Sequence, residues 1–490
     1  MSRVIVIGAG HNGLTAAFHL AKAGLKPLVL EAREVVGGGA VTSDLHPGFR
    51  CPTLSHRTLL RSDLVREMDL ERRGVELLRS PVDVFAPSLD GPPLTIYADD
   101  GRTVESIRRL SARDAESFPA YREAMRHVTS VLAPVLASPA PDIRDPDAGD
   151  LWNLLKAGRR FRGLGKKDAY RLLRWVPMPV ADLAREWFES DLLRAAVAAP
   201  GLSGTMLGPR SAGSALVLML QDAHCSQAGG SWRVRGGPGA LTHAMAEAAR
   251  AAGAEIRTGA RVERMLVVNG RAAGTVAKVN LALSALPAFQ GPAEAGHDVR
   301  GAVAAETLAG RIHIGPDLDY LERAFDHAKY GELSSEPWLD VTIPSVLDPA
   351  LAPAGAHVMS IYAHYAPYRL RATGWPAANA PLLDRVLATL ERFAPGIGAL
   401  VVASQVISPL ELETEYGFYG GHIFHGELAL DQLAMMRPIL GYGRYAGPID
   451  GLFLCSAGTH PGGFMTGGSG KLAARFVKGS DPHTRPDSRS

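Results

Sequence analysis

Apolar residues near the start of the chain form two short runs separated by a stretch with helical spacing. The run "RVIVIGAG" is rich in β-branched residues and ends in glycines, as buried parallel strands do. The stretch "NGLTAAFHLAKAG" has apolar residues at helical spacing and stops at Gly24, and "LKPLVLE" is a second apolar run. The pattern predicts a strand, a helix and a second strand, which is the opening of a parallel α/β sheet.

Three glycines lie between the first predicted strand and the helix. Gly8, Gly10 and Gly13 allow a tight turn and let the backbone approach a pyrophosphate, which free N–H groups at the helix N-terminus bind. Glu31 ends the second strand, where a carboxylate accepts ribose hydroxyls and argues against the extra phosphate of NADP. A purely structural glycine turn is the alternative, but the strand, helix and acid in register favour a dinucleotide site.

The segment after Glu31 helps to distinguish between dinucleotides. A plain nicotinamide domain would enter its next helix here, whereas this chain continues with "AREVVGGGAVT". Gly37 and Gly38 provide a second close approach of the backbone, and Arg33 is a candidate phosphate partner. The stretch resembles flavoproteins such as amine oxidases and phytoene desaturases, in which the doubled glycine lies along the cofactor pyrophosphate. This resemblance implies FAD.

A second glycine-rich stretch, "GLFLCSAGTHPGGFMTGGSGKLAARFV", lies near the C-terminus. The apolar run "LFLCSAG" predicts a strand that ends at Gly458, and "GSGKLAARFV" predicts a helix after a glycine-rich loop. A helix N-terminus aimed at a flavin would stabilise negative charge on the reduced ring. An ordinary turn between a strand and a helix is the alternative.

Four motifs of the chain are typical of one family of flavoproteins: "GAGHNGL", "GGGAVT", "RGGPGALTHAMAEAARAAGAEIRTGARVERMLV" and "SAGTHPGGFMTGGSGKLAA". Together they resemble the phytoene desaturase and carotenoid isomerase-like FAD-dependent oxidoreductases. The resemblance is strongest to the branch of pyridine nucleotide-disulphide oxidoreductase domain-containing protein 2. The resemblance covers nearly the whole chain. It implies an α/β fold with a Rossmann-like FAD-binding domain of the GR2-type flavoproteins and an inserted α+β substrate domain. It also implies that the adenosine and pyrophosphate are lined by Gly8, Gly10, Gly13, Glu31, Gly37, Gly38 and Val262. The ribityl chain and ring would lie near Gly458, Thr459, Gly463, Met465 and Thr466.

The resemblance also divides the chain into alternating segments. The FAD-binding domain would comprise about 1–80, 230–275 and 435–480, the substrate domain 81–229 and 276–434, and the flexible tail 481–490. One junction departs from the family pattern, because Gly274 runs directly into "TVAKVNLALSAL" where a family member would return a strand to the nucleotide domain. We favour an internal deletion that removes an edge element of the sheet. The alternative is that Val276–Leu283 takes the place of that strand.

Histidines and one acid form the densest polar cluster of the predicted substrate half, in "GGHIFHGE". His425 and Glu427 are candidate acid–base groups, and so is His460 beside the expected flavin ring, because a histidine titrates near working pH. The alternative is that these residues order a loop by hydrogen bonding. His422 and His425 have no acidic third ligand at a suitable spacing, so we expect no metal site.

Composition and charge exclude some function classes. The formal net charge of +2 gives no reason to expect a nucleic-acid partner. Cys51, Cys225 and Cys455 form no CxxC pair, which argues against a disulfide framework or a thiolate zinc site. No stretch has the length of a membrane-spanning helix, and the first predicted strand leaves no room for a signal peptide. We therefore expect a cytoplasmic protein.

One basic amphipathic stretch, residues 154–188, suggests peripheral contact with a membrane. It reads "LLKAGRRFRGLGKKDAYRLLRWVPMPVADLAREWF" and combines arginines and lysines with leucine, tryptophan and phenylalanine. Such a stretch can rest on an anionic membrane and admit a lipid-soluble substrate. A solvated helical face is the alternative.

These features predict an FAD-dependent oxidoreductase that desaturates or dehydrogenates a hydrophobic small molecule, such as a polyene or an isoprenoid. The substrate would give a hydride to flavin N5 and a proton to a nearby base, and oxygen or a quinone would accept the electrons. Isomerisation of a polyene occurs in the same family. The alternatives are a flavin-binding or flavin-free interaction protein without turnover, an amine oxidase, and an NAD-dependent dehydrogenase. Neither the substrate nor the oligomeric state can be read from the sequence.

Overall fold

The computed structural model describes residues 4–143, 145–262, 276–293, 300–447, 449 and 451–480. The junction at Gly274 and the tail 481–490 lie outside the described residues, so the predictions made for them stay predictions. The strands are β1 (Ile5–Ile7), β2 (Leu28–Leu30), β3 (Thr42–His46), β4 (Phe49–Pro52), β5 (Leu77–Leu78), β6 (Val82–Ala86), β7 (Leu94–Tyr97), β8 (Arg233–Val234), β9 (Glu255–Arg257), β10 (Val276–Leu283), β11 (Gln290–Ala293), β12 (Arg300–Ala302), β13 (Arg311–Ile314), β14 (Leu339–Thr342), β15 (His357–His364) and β16 (Val401–Ile407). The helices are α1 (His11–Lys22), α2 (Ser62–Glu67), α3 (Asp100–Arg108), α4 (Ala112–Leu136), α5 (Ala148–Gly163), α6 (Gly165–Trp175), α7 (Val180–Trp187), α8 (Asp191–Ala198), α9 (Ser214–Ala228), α10 (Pro238–Ala251), α11 (Leu318–Lys329), α12 (Asn379–Phe393), α13 (Ile397–Leu400), α14 (Pro409–Thr414) and α15 (Gly468–Ser480).

The N-terminal motif folds into a small parallel sheet with the order β1-β2-β9. Ile5 pairs with Leu28, and Leu28 pairs in turn with Glu255. Helix α1 packs against α15 and α10, and the core between them includes Val6 and Leu14. The strand–helix–strand prediction and the α/β fold are therefore confirmed, as is the helix predicted from "GSGKLAARFV".

The outer edge of β1 is unpaired among the described residues. The predicted strand Leu452–Gly458 makes only an isolated bridge between Ala446 and Phe453, and it does not pair with β1. Ile5 and Ile7 remain 54% and 46% exposed. The strand prediction for this segment is wrong, and residues 451–457 line the same cleft as β1.

A second, seven-stranded sheet has the order β16-β10-β15-β14-β13-β6-β7. Strand β10 lies between β15 and β16 and pairs antiparallel with both of them. The interpretation that Val276–Leu283 replaces a strand of the nucleotide domain is therefore wrong. Both hydrogen-bonding edges of this strand are already used in the larger sheet.

The two faces of the seven-stranded sheet differ in polarity. One face carries Val279, Val341 and Ile361, which pack in one apolar core with Val386 and Leu390 of α12. On the other face, Lys278 lies opposite Tyr362, and Tyr362 lies opposite Asp340. Residues directly opposite each other share a face of a sheet. The polar face lies toward the cleft, which Tyr362 and Asp340 line.

Helices α3 to α9 form a helical block with its own apolar core, which includes Phe118, Trp175 and Leu193. Helix α5 is an exception, because Asp150 is its only buried residue within the part of the chain that the structure describes. None of the helices among the described residues is long and apolar enough to cross a membrane.

Candidate functional site

One large cleft connects the two sheets. Its volume is about 1470 Å³, whereas pockets for small ligands typically measure roughly 300–1,000 Å³. Its walls include β1, the turn into α1, residues 31–33 and 38–40, parts of α4 and β6, and residues of β13 to β15. The cleft is therefore large enough for a dinucleotide together with a second small molecule.

The turn between β1 and α1 is built for close backbone approach. Gly8 has a φ of +91°, which is costly for residues with a side chain. A Cβ at Gly13 would lie 2.1 Å from the carbonyl oxygen of Gly8, so only glycine fits there. Gly10 forms a parallel bridge with Gly37, and the Gly37 N–H donates to the carbonyl of Ala9 over 2.9 Å. Gly37 thus holds the segment after Glu31 against the turn between β1 and α1.

Glu31 ties the two glycine segments together. Its Oε2 accepts a hydrogen bond from the Ala9 N–H over 2.7 Å, and its Oε1 accepts one from the Arg33 N–H over 3.0 Å. The guanidinium of Arg33 donates to the carbonyl of Gly38 over 3.4 Å and lies 4.8 Å from the ring centroid of Tyr416. These contacts fix the geometry of a dinucleotide cradle, formed by Gly8–Gly13 and Glu31–Gly38.

The N-terminus of α1 provides an anion site within this cradle. Gly10 caps the helix without a side chain, and the first turn contains no acidic residue. The Asn12 Oδ1 and the His11 Nε2 are buried without a hydrogen-bond partner in the described part of the chain. Burial lowers the pKa of His11 to about 4, so this ring is neutral at pH 7. Unpaired N–H groups and the helix dipole favour a phosphate here, so these residues fit the pyrophosphate of a dinucleotide.

The structure brings only some of the predicted site residues to the cleft. Those that line it are Gly8, Gly10, Gly13, Glu31, Arg33, Gly38, His425 and Met465. Those that do not are Gly37, Val262, Gly458, Thr459, Gly463, Thr466, Glu427 and His460. Several of the second set shape the loops instead. Thr459 donates to the carbonyl of Ser456 over 2.9 Å, and the Thr466 hydroxyl accepts from the Gly468 N–H over 3.2 Å.

The structure corrects the acid–base prediction for His460 and Glu427, because neither side chain lines the cleft. The His460 ring is buried, and its Nε2 bonds the carbonyl oxygens of Ser138 and Val135 over 3.0 and 3.3 Å, which anchors the end of α4. Burial and the nearby Asp431 raise the pKa of Glu427, whose side chain lies away from the cleft. His460 thus orders a loop by hydrogen bonding, which was the alternative interpretation of the sequence.

His425 alone of the predicted acid–base residues lines the cleft. Its ring lies 4.8 Å from that of Phe418, and its backbone has a φ of +55°. Burial, together with Arg437, lowers the pKa of His425 to about 4, so the ring is neutral at pH 7. Across the ranges that the structure describes, no three His, Cys, Asp or Glu side chains are grouped to hold a metal ion.

Comparison with known proteins identifies the family. Residues 6–68 match the model of an NAD(P)-binding Rossmann-like domain. The chain is 34% identical to pyridine nucleotide-disulfide oxidoreductase domain-containing protein 2 of Rattus norvegicus, over 96% of this chain and 92% of the rat protein. The chain belongs to this family. The predicted resemblance is thereby confirmed, and the protein is a member of an FAD-type oxidoreductase family.

Two further similarities extend the comparison. The chain is 29% identical to a phytoene dehydrogenase of Streptomyces griseus, over 98% of this chain and 96% of that protein. A solved oxidoreductase from Methanosarcina mazei has a TM-score of 0.55 at 16% identity, covering 97% of this chain and 99% of the other, and it shows the shared fold.

The alignment with the rat protein spans 547 positions, which exceeds the 490 residues of this chain. The rat protein therefore contains segments that this family member lacks.

Arg437 is a structural residue of the site that the sequence did not reveal. It is buried, and its guanidinium donates to the carbonyls of Ala457, Glu427 and Phe424 over 2.6–3.1 Å. Burial lowers its pKa to about 10, which leaves it charged at pH 7. This side chain fastens the loop around His425 to the loop before Gly458. Its partners are backbone carbonyls far along the chain, so no local motif marks it.

A buried polar cluster in the wall of the cleft was also missed. The His56 Nδ1 lies 3.2 Å from the hydroxyls of both Ser360 and Thr342, and its ring lies 3.8 Å from that of Tyr362. Behind it, the Lys278 Nζ donates to Asn280 over 2.9 Å and to Ser360, and burial lowers the pKa of Lys278 to about 7. One signal was available in "VAKVNLAL", where Lys278 and Asn280 alternate with apolar residues.

Proposed function

We propose that this protein is an FAD-dependent oxidoreductase that dehydrogenates or desaturates a small molecule, or isomerises a polyene. The observation that carries the proposal is the single cleft, which joins the dinucleotide cradle to the polar face of the seven-stranded sheet. When bound, FAD supplies a hydride acceptor at flavin N5. Gly8, Gly10, Gly13 and Glu31 would hold the adenosine and pyrophosphate end, and Met465 and residues 451–457 would lie toward the ring.

The residues of the protein would position the substrate and hold a proton. Dehydrogenation removes a hydride and a proton from neighbouring atoms of the substrate, so a base must face the cleft. His425 and His56 both line the cleft. Burial lowers the pKa of both rings, so each is neutral and a weak base, and each would hold a proton only while a negative charge lies beside it. The two electrons would pass to oxygen or a quinone.

An apolar portion of the substrate fits the side chains of the cleft. Leu54, Leu59, Val84, Phe424 and Phe464 line it. Apolar walls exclude water from a reacting centre and favour a hydrocarbon portion such as a polyene or an isoprenoid chain. The similarity to a phytoene dehydrogenase supports the same substrate class.

The visible absorption spectrum of the purified protein tests the cofactor. It should be recorded as isolated and again after incubation with FAD and desalting. We expect the absorption bands of an oxidised flavin, with an intensity that corresponds to about one flavin per protein molecule. These bands should bleach when a substrate is added without oxygen. A folded protein that stays colourless after incubation with FAD would contradict the proposal.

Two observations favour a second candidate, an interaction protein that binds flavin weakly or not at all. The outer edge of β1 has no strand partner among the described residues, which leaves this flank of the nucleotide sheet open, and the rat protein carries segments that this chain lacks. An open flank would let solvent reach a bound dinucleotide and speed its dissociation. Retention of FAD through gel filtration, followed by substrate-dependent bleaching, would exclude this candidate.

We also propose that α5 and α6 rest on an anionic membrane surface. Trp152 and Leu155 of α5 are each 54% exposed, and Tyr170 and Leu173 of α6 are exposed as well. Their neighbours include Arg159, Arg160, Arg162, Lys166 and Lys167. Apolar side chains among cations suit the interface of anionic lipids. The predicted stretch 154–188 is too long at its C-terminal end, because α7 is largely buried in the helical block.

Flotation with vesicles tests the membrane proposal. The wild-type protein should float with vesicles that contain phosphatidylglycerol and not with pure phosphatidylcholine vesicles. The double variant Trp152→Ser/Leu155→Ser should lose most of this binding, whereas Tyr330→Ser, which removes an exposed aromatic side chain elsewhere, should not. Equal flotation of the wild type and the double variant would contradict the proposal.

A further inference from the structure

The end of the cleft that faces the seven-stranded sheet is rich in arginine. Apart from Arg33 in the dinucleotide cradle, the described residues that line the cleft include Arg57, Arg79, Arg122, Arg126, Arg233 and Arg311. The aspartates on the same walls are Asp83, Asp222 and Asp340. Cations therefore outnumber anions in this part of the cleft, which we call the arginine wall and define by these six arginines.

Acidic partners neutralise the arginine wall only in part, although Arg122 lies 3.6 Å from Asp100 and Asp83 lies near four of the six arginines. Asp340 pairs with Arg311 over 3.4 Å, and Asp222 accepts a hydrogen bond from Thr129 over 2.9 Å. Arg233 donates to the carbonyl of Gly310 over 3.1 Å, and its Nε is buried without a hydrogen-bond partner in the described ranges. Burial lowers the pKa of Arg233 to about 10, and the positive charge of the nearby Arg57 contributes to this lowering. Two neighbouring guanidinium groups in a partly desolvated site favour an anion between or beside them.

The arginine wall is separate from the part of the cleft that would hold the cofactor phosphates. Its residues come from the loops after β4 and β5, from α4, from β8 and from β13, and none lies in β1, α1 or residues 31–39. The cofactor pyrophosphate has its own site at the N-terminus of α1. The positive charge of the arginine wall is therefore available to a ligand other than the cofactor phosphates.

Two buried polar atoms also need a ligand. His56 and Asp340 are each more than nine-tenths buried and line the cleft. The Nε2 of His56 and the Oδ1 of Asp340 have no hydrogen-bond partner among the described residues. Buried polar atoms are costly when they stay unpaired. An anionic oxygen beside the arginine wall would pair with His56 Nε2 when that nitrogen carries the proton, whereas the Asp340 Oδ1 accepts only and would need a donor such as a hydroxyl of the bound molecule.

We propose that the substrate is amphipathic and that its anionic head group, a carboxylate or a phosphate monoester, binds the arginine wall. This inference rests on the proposed function, because it treats the cleft as the substrate site of a flavin oxidoreductase. The apolar portion of the molecule would extend along Leu54, Val84 and Phe424 toward the cradle. A neutral hydrocarbon would leave the His56 Nε2 and the excess positive charge of the arginine wall without a partner.

Calorimetric titration with matched ligands tests the head group. The probes are decanoate, decyl phosphate and the neutral decanol, and they are titrated into the protein both before and after FAD loading. We expect at least one anionic probe to bind about tenfold or more tightly than decanol, since a charge-assisted hydrogen bond contributes this much or more. Preference for the carboxylate or for the phosphate identifies the head group.

Variants localise the binding. Arg57→Gln should weaken the preferred anion about tenfold without changing the affinity for decanol, and Arg79→Gln/Arg126→Gln should weaken it as well. Arg108→Gln, which removes a surface cation paired with Glu105 over 3.5 Å, is the matched control and should leave binding unchanged. Circular dichroism checks that each variant is folded.

The outcomes separate this inference from the proposed function. Equal affinity for the three probes, no binding of either anion, or unchanged anion binding in folded Arg57→Gln and Arg79→Gln/Arg126→Gln would overturn the inference. The flavin spectrum reports on the proposed function independently, because the titration without FAD requires neither a bound flavin nor turnover. A colourless protein that still selects the anion would overturn the proposed function and leave the anion site in place.

Discussion

The three-stranded sheet and the seven-stranded sheet meet at the same cleft, but they expose different kinds of surface to it. In the small sheet, β1 presents Ile5 and Ile7, which are about half exposed, while Val6 packs into the core beside α1. In the large sheet, α12 covers the apolar face, and Lys278, Tyr362 and Asp340 occupy the opposite face. The small sheet thus exposes aliphatic side chains where the large sheet presents polar ones.

The difference concerns how each sheet lines the cleft. Polar residues repeat on the face of the large sheet that lies toward the cleft. In the small sheet, Ile5 and Ile7 line the cleft beside the dinucleotide cradle, and the outer edge of β1 has no strand partner among the described residues. An edge strand leaves one row of its backbone groups without partners from the sheet. The following changes test this comparison.

Replacement of Gly13 by alanine should have the largest effect. A Cβ would lie 2.1 Å from the Gly8 carbonyl oxygen, so the turn must open and the cradle must move. We expect a loss of roughly 3 kcal/mol in the free energy of unfolding and about hundredfold weaker FAD binding. Urea denaturation and titration with FAD measure these two quantities.

The matched control for this variant is Gly158→Ala in α5, where the added Cβ meets no atom within 4 Å. Alanine in a helix interior should stabilise the protein by about 0.5–1 kcal/mol. If Gly13→Ala binds FAD as the wild type does, the cradle is not the dinucleotide site.

Replacement of Arg437 by methionine should have the next largest effect. The carbonyls of Ala457, Glu427 and Phe424 would lose their donor inside the protein. We expect the free energy of unfolding to fall by about 3 kcal/mol, because buried acceptors left unpaired are costly. Arg113→Met on the surface of α4, which breaks an exposed pair with Glu189, should change it by less than about 1 kcal/mol. Equal effects of the two substitutions would mean that Arg437 does not fasten the loops together.

Local patterns were sufficient to predict the nucleotide half of the fold. The strand, the glycine turn and the acid at Glu31 lie within one stretch of sequence, and their contacts are with one another. The same locality explains why the family could be inferred from motifs. The predictions for Gly8, Gly10, Gly13 and Glu31 as cleft residues rest on that stretch alone.

Contacts between distant segments explain what the sequence did not reveal. His56, in the loop after β4, contacts Ser360 and Thr342 of the seven-stranded sheet, which lie about three hundred residues later in the chain, and Arg437 acts through backbone carbonyls. His460 lies in a conspicuous motif, yet its ring bonds the end of α4, more than three hundred residues earlier. The arginine wall likewise collects residues from five separate segments. Such constellations have no spacing that a sequence could display.

Lys278 provides a pH-dependent test of the large sheet. Burial lowers its pKa from 10.5 to about 7, whereas the unfolded chain keeps the ordinary value. Between these two pKa values the unfolded state holds a proton that the folded state lacks, so the free energy of unfolding rises with pH. From pH 7 to pH 9 we expect this rise to be about 2 kcal/mol larger in the wild type than in Lys278→Met. Urea denaturation at the two pH values measures the difference, and parallel pH profiles would contradict a buried lysine at this position.

Threonine substitutions in β1 should have the smallest effects and test the open flank most directly. Because Ile5 and Ile7 are half exposed, each change to threonine should alter the free energy of unfolding by less than about 1 kcal/mol. Val6 on the same strand is buried, so Val6→Thr, which places a hydroxyl in the core, should cost about 2 kcal/mol. Urea denaturation of the three variants compares the two faces of one strand. If Ile5→Thr and Ile7→Thr lower the free energy of unfolding as much as Val6→Thr does, the side chains of Ile5 and Ile7 are buried in solution.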